Sequence, residues 1–240
     1  MNQFPKLIGI SRSQFFNLHS RLLWAKNESD PQVILSTHQQ LLVSLLWMRQ
    51  NLTFKTLACF FGVSVGTLNT IVWKVVLLIF DALTPNIRLP STTERTVHSV
   101  RLYRFYSVGA IDGTEQEVYA SVNKRRAKGT YSGKKGYHTF MHLIVCGLDG
   151  TIWYISPTYL GNLNDLNMVD FPENWIPLHR GEEWLLGDGI FKGQQSKCIL
   201  GYANFQHTSL ASQFKRYRRV VENVIGMIKK WKICSQTWRQ

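Results

Sequence analysis

The stretch Ser107–Gln116, SVGAIDGTEQ, decides how this chain is read. Val108, Gly109, Ala110 and Ile111 are small or apolar and lead straight into Asp112 and Gly113. A buried strand commonly ends on a turn residue, and Asp-Gly is sound turn chemistry. The same pattern also describes a carboxylate held at the end of a rigid strand. Asp112 alone leaves both readings open, so the decision passes to the rest of the chain.

The 240 residues are 45% hydrophobic, enough for a real core and too apolar for wholesale disorder. The formal net charge is +13, which points to a polyanionic partner, nucleic acid first and an acidic membrane surface second. The charge is clustered. Residues 121–140 hold Lys124, Arg125, Arg126, Lys128, Lys134 and Lys135 and no acid, and residues 211–240 hold eight bases against the single acid Glu222. A merely soluble basic surface would not need this clustering. Cys59, Cys146, Cys198 and Cys234 are far apart, form no CxxC and have no zinc spacing, so they are expected to be reduced thiols. The opening MNQFPKLIGIS lacks the apolar run of a signal peptide, and no stretch reaches ~18 uninterrupted apolar residues. An intracellular protein without a membrane span is the expectation.

Up to about residue 84 the apolar residues recur at three and four, as in Leu41, Leu42, Leu45 and Leu46, or Leu68, Ile71, Val72, Val75, Val76 and Ile79. This is helix periodicity. Thr84–Thr96, TPNIRLPSTTERT, has two prolines and polar residues and reads as a linker. Beyond it come strand-like runs, including two around Asp149-Gly150 that read as a hairpin, and a short one ending at Asp188. The last segment returns to helix period. The expected organisation is a helical region with linker over 1–96 and an α/β domain over 97–240. Within the first, a helix-turn-helix is expected over about 53–80: Thr53 and Ser64 can cap its two helices, and Gly62 can make the tight turn. Leu57, Phe61, Val63, Leu68 and Ile71 lie where the helices face each other. Val65, Gly66, Asn69 and Thr70 are expected outward, and Asn69 has the chemistry to read adenine in a major groove. An ordinary αα-corner has the same pattern.

Cleavage of a phosphodiester by two metal ions needs several carboxylates on rigid positions, converging within a few ångströms. Only 15 acids are present. Asp112 and Asp188 each follow an apolar run and precede glycine. Glu222 lies at the border of the apolar face Val220, Val221, Val224, Ile225 and Ile228, among Lys215, Arg218 and Lys229. Its bland alternative is an i−4 salt bridge to Arg218. Asp165 is a fourth candidate, or the cap of a helix beginning near Leu166. Asp149 reads as the hairpin turn, and Asp170, Glu173, Glu182 and Glu183 as solvated loop acids. His138 and His142 share a strand face and are expected as core or groove-lining residues. No GxSxG, Walker loop or GxGxxG is present.

The segments GAIDGTEQEV, YSGKKGYHTFMHLIV, DGTIWYIS, GNLNDLNMV, WLLGDGIFKG and RYRRVVENVIGMIKKW stand in the order found in the DDE-superfamily endonucleases and resemble those of the Harbinger-type transposases. Leu41–Val75, followed by IRLPS, resembles the helix-turn-helix that precedes the nuclease there. The resemblance implies an RNase H-like fold, a mixed five-stranded sheet with flanking helices. It implies a triad of Asp112, Asp188 and Glu222 holding a divalent metal, Mg²⁺ or Mn²⁺, with Asp165 joining or supporting the metal site. It implies DNA as partner, a homo-oligomer or an accessory DNA-binding protein beside it, and the nucleus as location. Lys134, Lys135, Arg216, Arg218 and Arg219 are the expected phosphate-binding residues. The function expected is a metal-dependent DNA endonuclease or transposase-like protein; the alternative is a domesticated DNA- or partner-binding protein without transposition.

Overall fold

The computed structural model describes residues 4–22, 34–102, 105–174, 176–179, 182–191, 193–201 and 208–238. They form two compact units: Met1–Asn86 with Lys229–Gln236, and Ile87–Ile228 with Thr237–Gln240. The described part of the first unit is helical: α1 (Phe4–Ile8), α2 (Arg12–Arg21), α3 (Thr37–Gln50), α4 (Phe54–Phe61) and α5 (Val65–Leu83). Helix starts are set by hydroxyl caps, which satisfy backbone N–H groups that have no partner inside the helix. Thr53 accepts from the Thr56 N–H at 3.1 Å and Ser64 from the Thr67 N–H at 3.0 Å. Between them Gly62 ends α4 in the left-handed region at φ 65°, where a side chain is strained. Leu57, Ala58, Leu68 and Val72 are buried, so α4 and α5 make the expected helix-turn-helix. Ile8, Phe15, Leu22, Leu41, Leu45 and Val75 form the core of this unit. Trp231 belongs to it as well: its indole lies beside Gly9, and the Arg49 guanidinium stands 5.7 Å from the ring centre.

Helix α5 departs from one expectation. With the turn that follows it, over Val65–Asn86, it has the length and mean hydropathy, 1.6, of a membrane span, and only 17% of that window is buried. Counting uninterrupted apolar residues passes over it, because Asn69, Lys74 and Asp81 break the run.

The second unit begins with α6 (Thr92–Val97), followed by β1 (Val100–Leu102) and the long strand β2 (Phe105–Glu117). Then come α7 (Lys124–Thr130), β3 (Tyr131–Ser132), β4 (Tyr137–Gly147), β5 (Ile152–Ile155), β6 (Tyr159–Leu160), α8 (Asp165–Val169), β7 (Glu183–Leu186), β8 (Ile199–Leu200) and α9 (Thr208–Lys229). The sheet runs β3-β4-β2-β7-β8, with β1 on β2 and with β5 and β6 on β4. It is mixed. The β2–β4 and β4–β5 pairs are antiparallel, whereas β7 runs parallel to β2 and β8 parallel to β7. Parallel pairing needs a crossover, and the segment carrying α8 supplies it between β6 and β7. Helix α9 buries Phe214, Val221 and Val224 in the same core as Val108, Ala110, Val145 and Leu186. A mixed sheet with flanking helices behind a helical region is the fold the sequence leads to, and it is consistent with an RNase H-like domain.

The segment read as a linker is in part structured. Ser91 and Glu94 form a capping box at the start of α6, and Arg88 donates to both oxygens of Glu94 at 3.2 and 2.9 Å. Arg95 is buried and forks onto Glu183 of β7, with its Nε donating to Oε1 at 2.9 Å and its Nη2 to Oε2 at 2.6 Å. Glu183 is therefore not a solvated loop acid; its side chain is only 4% exposed. Burial alone raises its pKa, but the Arg95 guanidinium and the His179 backbone N–H outweigh that and hold it below the usual carboxylate range. Sequence reading misses the pair because its halves lie 88 residues apart.

Truncating one half of a buried pair strands the other charge. Arg95→Ala is expected to cost about 3–5 kcal/mol of stability in urea unfolding. Glu183, with its lowered pKa, stabilises the fold above the unfolded-state value and loses that contribution as pH falls below about 4. The acid limb of the stability profile should therefore flatten in Glu183→Gln; an identical slope in wild type and variant removes Glu183 from the acid transition.

Candidate active site

Asp112 stands inside β2 and not at its end. Strand β4 pairs with β2 from Gly109↔Gly147 through Asp112↔Ile144 to Glu117↔Thr139, so the backbone stays extended past the Asp-Gly step. The turn reading fails because a neighbouring strand satisfies those backbone groups. On the other edge of β2, Gly109 and Ala110 pair with Leu185 and Leu186 of β7. Carrying this register on by two residues brings position 112 beside position 188. Asp188 lies just beyond β7, exposed, with Oδ1 accepting from the Gly189 N–H.

Glu222 reaches the same region from α9. Val221 and Val224 seat the helix on the core, which leaves Arg218 and Glu222, four residues apart, on one flank. Arg218 bridges two acids: Nη1 lies 3.5 Å from Asp112 Oδ2, and Nη2 is paired with Glu222 Oε1. The side chains of Asp112 and Arg218 are 20% exposed and that of Glu222 46%. The i−4 salt bridge foreseen for Glu222 is present, and the same guanidinium carries it to Asp112.

Asp165 is buried in the first turn of α8 and is not the cap; Asn164 is, accepting from the Asn167 N–H at 2.8 Å. Its carboxyl group lies against Gly113, where any Cβ would overlap Oδ1 and stand 2.5 Å from Cγ. The pleat sends the side chains of residues 112 and 113 to opposite sheet faces. Asp165 therefore approaches β2 from the face that Asp112 does not use. Its Oδ1 is buried without a hydrogen-bond partner.

The electrostatics tie these groups together. Burial pushes the Asp112 carboxyl up to about 6, with Arg218 opposing, Asp165 adding, the Gly113 N–H opposing and Asp188 adding. Burial also raises Asp165, with Lys134 opposing and Glu115 and Asp188 adding. Loss of water, more than repulsion between the acids, is what disfavours the charged forms of Asp112 and Asp165. Among the described residues no group of three His, Cys, Asp or Glu side chains is close enough to hold a metal ion.

Of the expected phosphate-binding residues, Lys134 and Lys135 are exposed in the β3–β4 turn, closed by Gly136 at φ 77° and by the Lys135 N–H donating to Ser132 Oγ at 3.3 Å. Lys134 also acts on Asp165. Arg216 and Arg219 are exposed on α9, while Arg218 is engaged with the acids. Asn69 is exposed on α5, in the helical unit. Two contacts escaped the sequence reading. Gly113 leaves room for Asp165, and Arg218, expected beside Glu222 and at phosphate, also reaches Asp112. The first had only its place beside Asp112 as a signal. The second had its spacing from Glu222. His142 Nδ1 and Thr114 Oγ1, opposite each other across β4 and β2, are both buried without partners.

The Gly113–Asp165 contact can be tested directly. Gly113→Ala should destabilise the protein by about 1–3 kcal/mol through overpacking. Asp165→Ala in the same chain should recover much of that loss, and a double-mutant cycle in urea measures the coupling. Additive effects mean that the two positions do not touch.

Comparison with known proteins then bears on this geometry. Residues 111–240, more than half of the chain and beginning one residue before Asp112, match the DDE superfamily endonuclease family. Residues 34–85 match the helix-turn-helix of DDE superfamily endonuclease, the region of α3, α4 and α5. No curated protein matches the chain, and no solved structure does. A mixed sheet carrying Asp112 at its centre, the family match that spans it and the matched helix-turn-helix ahead of it agree: the chain belongs to the DDE superfamily endonucleases.

Proposed function

We propose that the chain is a divalent-metal-dependent DNA endonuclease of the Harbinger type, in which Asp112, Asp188 and Glu222 form the carboxylate triad. The observation that carries this reading is the setting of Asp112 on the central strand, linked through Arg218 to Glu222 and next to position 188 in the register of β2 and β7. The donors are all carboxylate oxygens, the type that suits Mg²⁺ and Mn²⁺, and the buried Asp165 Oδ1 has no hydrogen-bond partner. The donor chemistry fits a hard divalent cation, which Asp112, Asp188 and Glu222 would hold, with Asp165 adding negative field from the opposite sheet face. Such ions supply Lewis acidity toward phosphate and an activated water.

The chain's own residues do the rest. Arg218 neutralises Asp112 and Glu222 until DNA arrives, then turns its planar fork to a phosphate and frees both carboxylates. Lys134, Lys135, Arg216 and Arg219 hold the backbone. Asn69, with Val65, Gly66 and Thr70, presents the exposed start of α5 to base edges. The location proposed with this reading is the nucleus, and the partners proposed beside DNA are a second copy or an accessory DNA-binding protein.

A second reading is a domesticated binding protein without cleavage. Arg218 supports it by satisfying Asp112 and Glu222 from within the chain. Nicking of plasmid DNA separates the two. The nuclease reading expects Mg²⁺- or Mn²⁺-dependent nicking that Asp112→Asn and Asp188→Asn abolish, with metal-free DNA binding retained. Asn69→Ala should leave nicking in place and lose about 1–3 kcal/mol of base discrimination. Binding without nicking by the wild-type protein favours the second reading.

The basic residues give a separate measurement. Affinity for duplex DNA should fall steeply with salt, because each phosphate contact releases counterions. Lys134→Ala with Lys135→Ala should reduce the salt slope by up to about two units, at roughly 0.9 per contact. An unchanged slope takes both lysines out of the DNA path.

A further inference from the structure

We propose that the end of the sheet carrying Tyr119, Tyr131 and Tyr137 is a base-stacking platform for an unpaired DNA strand, next to the duplex on which the carboxylates act. The inference rests on the nuclease reading for its choice of DNA and adds the strandedness of the substrate.

Two residue types are concentrated here. Tyr119–Tyr137 holds three tyrosines and six bases, Lys124, Arg125, Arg126, Lys128, Lys134 and Lys135, and no acid. All nine residues are exposed, Tyr119 to 66%, Tyr131 to 47% and Tyr137 to 42%. Among the described residues none of the six bases forms a salt bridge. The bases by themselves account for affinity toward any nucleic acid, duplex included. The tyrosines need a separate account. Rings this exposed do not serve the core, and a duplex has nothing to lay on them, because its bases are stacked on one another. An unpaired base offers its face, and stacking on aromatic rings within a basic groove is the recurrent way in which single strands are held.

Backbone pairing brings the three rings to one place. Past the pair Glu117↔Thr139, the Val118 N–H donates to the His138 carbonyl at 3.0 Å, so the register of β2 and β4 continues. One residue further it sets position 119 beside position 137. On the other edge of β4, Tyr131 is opposite His138 and Ser132 opposite Tyr137. Opposed residues share a sheet face and successive residues alternate. Tyr131 therefore lies on the face of His138, Val118 and Asp112, with Tyr119 and Tyr137 on the other side of the same sheet end. Tyr131 is braced. Its ring meets that of His138 edge-on at 5.5 Å between centres, and His138 Nδ1 is hydrogen-bonded to Thr130 Oγ1 at 2.9 Å. Among the described residues the rings of Tyr119 and Tyr137 touch no other aromatic ring, which leaves their faces open.

The bases frame these rings. Helix α7 runs directly into Tyr131, whose N–H closes the helix onto the Ala127 carbonyl. Lys134 and Lys135 stand in the turn between Tyr131 and Tyr137. Val118 is six residues beyond Asp112, roughly 20 Å along an extended strand, or about six phosphates of one DNA strand at roughly 3.4 Å each. A strand whose backbone lies at Asp112 and which has come away from its complement reaches the rings within that length. Tyr131, on the face of Asp112, is the first that it meets.

The test is equilibrium binding of the full chain without metal, by fluorescence anisotropy. The probes are a blunt duplex of about 20 base pairs and the same duplex with a single-stranded overhang of about six nucleotides. The overhang should tighten binding about ten-fold or more. Combining Tyr119→Ala, Tyr131→Ala and Tyr137→Ala should abolish that gain and leave affinity for the blunt duplex within about two-fold, with circular dichroism unchanged. The three phenylalanine replacements, which keep the rings, should retain the gain. On the wild type, an overhang carrying iododeoxyuridine should crosslink within Tyr119–Tyr137 on irradiation, as read by mass spectrometry. Equal affinity of the wild type for both probes overturns the proposal. So do alanine variants that weaken both probes alike, or a crosslink that maps elsewhere. Tighter binding of an RNA overhang of the same sequence assigns the platform to RNA and likewise overturns it. The two readings fail separately: nicking without a preference for the overhang removes the platform alone, and a preference for the overhang in a protein that never nicks removes the nuclease alone.

Discussion

Strand β2 is bonded along both edges, antiparallel to β4 and parallel to β7, and the rest of the second unit hangs on that double pairing. The hydrogen bonds to β4 lock the backbone of residues 109–117 into one register, and Val108 and Ala110 on one face with Ile111 on the other bury both sides of the strand in the core. Everything near Asp112 inherits its position from this constraint. Asp188 follows β7 and stands beside it. Asp165 is admitted from the other face because residue 113 has no side chain. A carboxylate on a doubly paired strand cannot relax away from its neighbours as a loop acid would.

That rigidity has an electrostatic cost, visible in the raised pKa of Asp112 and Asp165. Partial burial removes water from both, and neighbouring acids add repulsion. Arg218 offsets part of it at Asp112. It can do so only because α9 is seated by Phe214, Val221 and Val224, so the apolar face of the helix determines where its guanidinium points. The same helix carries Glu222. Core packing and the charge arrangement of the site are therefore one problem, since whatever tilts α9 moves a base and an acid together.

The helical unit shows a different balance. Its helices are defined by local chemistry, with a hydroxyl cap before α2, α3, α4 and α5 and a left-handed glycine after α4. Helix α5 has more apolar surface than its own unit uses. That surplus lies over Trp73, Leu77 and Phe80, one turn beyond the exposed start of the helix around Val65, Gly66 and Asn69.

Much of this was legible in the sequence, where the deciding physics is local. Periodicity separated helices from strands, Thr53, Gly62 and Ser64 located the helix-turn-helix, and Asp149-Gly150 located the hairpin between β4 and β5. Apolar runs ahead of Asp112 and Asp188 marked both as acids carried on core strands. What the sequence could not supply depends on partners far along the chain. Asp112 looked like a turn because its strand neighbours, β4 and β7, come later. Glu183 looked solvated because Arg95 lies 88 residues before it. Asp165 looked like a cap or a ligand until Gly113 fixed the sheet face it occupies. The chain by itself determined which residues could be strand, helix or cap, since those preferences are set within a few residues. Only the tertiary structure decided which acids share a guanidinium and which face each one uses, because strand register and helix seating bring together groups that no spacing in the sequence relates.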